Sequence, residues 1–194
     1  MDFNTKGHEV EEKEFVSQYL NPGIHTAKIQ KIEFTESNGG TEGLIITLEG
    51  KPDAALENKG KTADTKWWMS PNAWPYTKDR LVIMADKLGV RDGLDDISTN
   101  SSAEYAEALN AIFAGKVARW KLAGEEIEGK EGKNNWFKAG IAGYGFIEPT
   151  TISDEASKLK FDEGNKYDMK RLKPSDTSSP FKEEEGKTDD DTWS

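Results

Sequence analysis

Cysteine is absent from the 194 residues, and histidine occurs only twice. Without thiols there is neither a disulfide framework nor a thiolate metal site. His8 falls in a polar N-terminal arm and His25 at the start of a strand; both read as surface residues, which leaves little for a catalytic triad or a zinc site. No apolar run approaches the ~20 residues needed to span a bilayer. The opening "MDFNTKGHEVEEKEF" is too charged for a signal peptide, so a soluble protein of a reducing cytoplasm is expected. A basic balance is missing too: 26 Lys and Arg stand against 36 Asp and Glu, a net charge of -10. From Thr151 onward there are 12 acids and 8 bases, or -4, so residues 1–150 carry the other -6. Any contact with nucleic acid must therefore rest on a local basic patch.

Nucleotide-binding glycine loops are also lacking. The segment "GKPDAALENKGKT" contains a GKT without the glycine spacing of a phosphate-binding loop. "GIAGYG" lies inside a strand and does not open a helix, which argues against a dinucleotide fold. The acidic pairs Asp95/Asp96 and Glu125/Glu126 fall in expected loops and read as solvated surface. No catalytic residue, cofactor or metal ligand is assigned, and a non-enzymatic role is expected.

Aromatics are plentiful. Six Trp, eight Phe and five Tyr argue against disorder throughout, whereas a hydrophobic fraction of only 35% argues that part of the chain lies outside any core. A short polar arm (1–20) precedes a folded body. Alternating β-branched and apolar residues mark strands at 24–34 (long and bulged), 44–50, 62–70, 116–124 and 136–149. Leu44, Ile46 and Leu48 share one face of the second. Between the third and fourth strands the period becomes helical: Leu81, Met84, Ala85 and Leu88 form one stripe, ending at Gly89. Tyr105, Leu109, Ile112 and Phe113 form another, opened by Ser102 as N-cap. This mainly β order with a helical insertion is that of a five-stranded OB-fold barrel over 21–149. An unrelated α+β sheet would show the same order. After Pro149 the periodicity fades, and 150–194 reads as linker and disordered acidic tail.

Rings interleaved with cations on strands suit single-stranded nucleic acid, because bases stack on exposed aromatics while phosphates pair with Lys and Arg. On an unbroken last strand, Phe137, Ala139, Ile141, Gly143, Gly145 and Ile147 face one way. Trp136, Lys138, Tyr144 and Phe146 face the other, as a stacking platform or as a surface packed on the helices. On the fourth strand Trp120 points inward, and Arg119 and Lys121 point outward beside Lys116. Trp67 and Trp68 must face opposite sides, with Lys66 accompanying Trp68. Trp74 and Tyr76, near Lys78 and Arg80, reach a ligand or cap the core. Lys130 and Lys133 lie in the loop joining the last two strands, a loop OB-folds use for nucleic acid.

The stretch "LNPGIHTAKIQKIEF…GLIITLEG", the strand–helix–strand order, and the finish "EEEGKTDDDTWS" together resemble bacteriophage single-stranded DNA-binding proteins. The resemblance spans about residues 20–149 and the tail. It implies a protein that coats transient single strands without sequence preference during phage replication, recombination and repair. It further implies a tail, with Asp189, Asp190, Asp191 and Trp193, that recruits the replication polymerase and other replication or recombination proteins. A homodimer is compatible with the sequence, and no membrane partner is expected. Two other classes fit parts of it: an acidic interaction protein such as a DNA mimic or inhibitor, and a phage structural or accessory protein whose aromatics are all core.

Overall fold

Five strands form an antiparallel sheet in the order β3-β2-β1-β4-β5, and three helices enter between β3 and β4. The computed structural model describes residues 18–51, 58–130, 134–143 and 145–173. The strands are β1 (Gly23–Glu36), β2 (Glu42–Gly50), β3 (Thr62–Trp68), β4 (Val117–Ile127) and β5 (Trp136–Ile141), followed by the two-residue β6 (Ile147–Glu148) and β7 (Met169–Lys170). The helices are α1 (Trp74–Leu88), α2 (Arg91–Asp95) and α3 (Ser102–Phe113). Among the described residues no helix is long and apolar enough to cross a membrane.

β1 is the spine. It pairs with β4 over 23–28 and with β2 from Ala27 to Glu36, so only Ala27 and Lys28 lie between both. The change of partner coincides with a register shift between Ile29 and Lys31, the bulge suggested by the scattered alternation in "IHTAKIQKIEF". Amides released from β4 there find partners at the end of α3. Ile32 N donates to Asn110 Oδ1 at 2.8 Å, Ile29 N to Lys116 O at 2.9 Å, and Gly115 N to Ile29 O at 2.8 Å. The bulge thus seats the helix that closes one end of the core.

The period-two reading of β2 holds: Leu44, Ile46 and Leu48 are all fully buried. So does that of β4, with Ala118, Trp120 and Leu122 inside. The helical stripes of α1 and α3 supply Leu81, Met84, Ala85, Leu109 and Phe113 to the same core. Gly89, at φ 66°, ends α1 as a left-handed cap. Ser101, one residue before the expected cap, is the N-cap of α3, its hydroxyl accepting from Glu104 N. The short α2 was not visible as a separate period.

The sheet is open. β3 and β5 are its two edges, and no strand pairing joins them among the described residues. They nonetheless approach: Ile141 N donates to Thr65 Oγ1 at 2.7 Å, and a Cβ on Gly140 would lie 2.9 Å from that same oxygen. Glycine at 140 is what lets the edges come this close.

Two expectations change at the C-terminal side. The expected strand 136–149 is two strands, β5 and β6, both paired with β4 and separated at 142–146, where Gly145 takes φ 71°. Residues 150–173, read as linker, fold back onto β4. There Met169 lies opposite Gly124 in a parallel pair, and Leu159 and Met169 are buried. The arm up to residue 17 and the tail from 174 lie outside the described residues, and with them Asp189, Asp190, Asp191 and Trp193.

Candidate nucleic-acid interface

Strand parity sorts the aromatics. In β3, Trp67 turns inward and is 1% exposed, while Trp68 turns outward and is half-buried. The Trp68 ring lies over Gly43 of β2, where a Cβ would come within 2.8 Å of Trp68 Cε3. Gly43 is therefore the seat that lets a large ring lie against the sheet. In the sequence the only sign of it is a glycine at the start of a strand. Lys66, two residues back on the same face, holds Nζ 6.0 Å from the Trp68 ring centre. That arrangement places a cation within electrostatic reach of an aromatic face.

β5 repeats the pattern in mirror order. Trp136 is 47% exposed, and Lys138, two residues on, is exposed on the same outward face. Lys66, Lys130 and Lys138 form no ion pair with a described residue. Because β3 and β5 meet at Thr65–Ile141, these two ring-and-cation pairs flank one seam of the outer surface. Lys130 is exposed in the loop that enters β5. Lys133 and Tyr144 lie outside the described residues.

Other candidates part from this seam. Phe146 is a correction: it is 0% exposed, edge-on to Trp67 at 5.9 Å and stacked on Trp120 at 6.3 Å. The break between β5 and β6 resets the parity on which its outward placement depended. Trp74 packs edge-on against Tyr105 at 5.9 Å, joining α1 to α3, with Lys78 over its ring. Burial of Tyr105 pushes its phenol pKa up. Tyr76 is exposed on α1, and Lys116 is exposed at the entry to β4.

Arg119 and Lys121 do point outward, but not into solvent. Asp154 pairs with Arg119, and Asp168 pairs with Lys121 at 2.6 Å, where the two side chains are 8% and 18% exposed. The carboxylates come from 150–173, so the two cations are corrected from open surface to covered ion pairs. The same segment is latched through Glu148, which accepts from Ser157 Oγ and Lys158 N, each at 2.6 Å. Burial would raise the Glu148 pKa. Hydrogen bonds from Ser157, Lys158 and Leu159, with the nearby Arg119 charge, outweigh it and hold the carboxyl below its ordinary range.

Two shallow depressions of about 430 and 360 Å³ lie elsewhere, between the β1–β2 turn and the helices. They share Glu42 and Met69, and their lining includes Glu36 but no Lys or Arg, which is unfavourable for phosphate. No cluster of metal-ligating side chains occurs among the described residues. His25 bonds Asn21 O and Asn58, and Glu125 pairs with Lys170 at 3.7 Å. A comparison with protein-family models finds no match, and no curated protein matches the chain.

Proposed function

We propose that this protein binds single-stranded DNA without sequence preference, along the outer seam between β3 and β5, on an OB-type barrel. The observation that carries this reading is the doubled pattern of Lys66–Trp68 and Trp136–Lys138 on two edge strands that touch at Thr65–Ile141. Rings supply stacking that every base can use, and the lysines supply phosphate contacts. Sheet order, the helical insertion after the third strand and the near approach of the edges support an OB-type barrel. The loop carrying Lys130 enters the same seam.

In this reading the protein is a stoichiometric binder with no turnover, needing no cofactor. The resemblance to phage single-strand binders supports a role in replication, recombination and repair, and a tail that recruits replication proteins through its carboxylates and Trp193. The net charge of -10 favours one rival, an acidic protein that occupies a partner's basic groove in place of DNA. Titration with oligo-dT separates the two. Quenching of tryptophan emission that weakens as salt rises is the expected result. No response up to high micromolar oligonucleotide would overturn the proposal.

A further inference from the structure

Arg119 and Lys121 stand two residues apart on the outward side of β4, which sets them about 7 Å from one another along the strand. Their β1 neighbours are the uncharged Thr26 and Ile24, and on the other side of β4 Arg119 lies opposite Glu148, whose carboxylate is already engaged by Ser157 and Lys158. Asp154 and Asp168, from one later segment, cover one cation each. That segment is held mainly by other means. Gly124 N donates to Asp168 O at 3.0 Å, Glu148 takes two bonds from Ser157 and Lys158, and Leu159 and Met169 are buried. Asp154 itself is 92% exposed and contributes little to that fastening. Its carboxylate sits where a phosphate group would pair with Arg119.

We propose that residues 150–173 act as a built-in strap masking a second polyanion site on β4. The two aspartates stand in for successive phosphates of a nucleic acid or polyphosphate chain. By occupying Arg119 and Lys121, the strap confines bound phosphate chains to the β3–β5 seam. The site needs charge alone and no ring, so it does not depend on stacking at Trp68 or Trp136.

The test uses the full chain with end-labelled inorganic polyphosphate, followed by fluorescence anisotropy across a salt series. Asp154→Asn/Asp168→Asn is compared with Asp92→Asn/Asp96→Asn, which removes two exposed carboxylates from α2 and its C-cap and so changes net charge equally. The strap variant is expected to bind about tenfold more tightly than the control at low salt, with a log–log salt dependence steeper by about 1.4 for two added phosphate contacts. Adding Arg119→Gln/Lys121→Gln should erase the gain. No gain over the control, or a gain that survives loss of both cations, overturns the proposal. Should near-UV circular dichroism show that the double variant has lost its packing, Asp154→Asn alone is measured. It leaves the Lys121 pair intact and should steepen the dependence by about 0.7, an unchanged slope again overturning the idea. Oligo-dT run in parallel keeps the two readings distinct. If the wild-type chain fails to bind it, the seam assignment falls, while the polyphosphate result still decides the strap.

Discussion

On β3 and β5, Lys66 and Trp68, and Trp136 and Lys138, alternate on the outward face with no ion pair to a described residue. On β4, Arg119 and Lys121 likewise stand two residues apart on the outward face, yet both are paired with aspartates, and the ring between them, Trp120, points inward and is fully buried. The cations are placed alike; the surroundings differ. β4 is an interior strand, paired with β1 on one side and with β5 and β6 on the other, and it has a returning segment laid across its outer surface. β3 and β5 are edges. An outward cation therefore becomes surface or structure according to strand position and to what the chain does tens of residues later.

Substitutions on the two sides should have opposite consequences. Phe146→Ala should have the largest effect, lowering stability by about 3–5 kcal/mol in urea unfolding, because it empties the space between Trp67 and Trp120. Oligo-dT affinity of the remaining folded protein should not change, and a selective loss of affinity would return Phe146 to the interface. Trp136→Ala should do the reverse. Binding weakens by about 1–3 kcal/mol per stacked base lost, while the urea midpoint barely moves.

Acid should sharpen the contrast next. The Glu148 carboxyl is held below its ordinary value of 4.5 in the folded state. Its contribution to stability is thus fully present above that value and lost as pH falls through the depressed one. Hydrogen exchange at Ser157, Lys158 and Leu159 should accelerate over that window before the β1–β2 amides respond. Glu148→Gln should show that faster exchange already at neutral pH. Equal acid sensitivity in both regions would mean that Glu148 is not the latch.

The smallest effects are in salt dependence. Lys138→Gln should flatten the oligo-dT log–log slope by about 0.7, the value for one lost phosphate contact, while Lys121→Gln leaves it unchanged. Removal of 183–194 should leave oligo-dT affinity equal or slightly higher and abolish capture of replication proteins.

Much of this was legible beforehand, for identifiable reasons. β-Branched alternation marked all five main strands, because a half-buried strand must alternate. Adjacent Trp67 and Trp68 had to take opposite faces, and do. Phe146 was misplaced because parity counting assumes an unbroken strand, and β5 ends at Ile141 while β6 begins only at Ile147. The 150–173 strap was invisible because few apolar residues hold it. The Glu148 carboxylate and the Asp168 main chain do much of the work, and isolated carboxylates in a polar stretch carry no period. The seat for Trp68 at Gly43, and the contact of Gly140 with Thr65, depend on the absence of a side chain opposite a distant partner, which only the pairing register reveals.

The most direct test follows the indole N–H signals of tryptophan-labelled protein as oligo-dT is added. The account predicts that Trp68 and Trp136 shift together and saturably, while Trp67 and Trp120 in the core stay in place. Shifts confined to other tryptophans, or none at all, would contradict it.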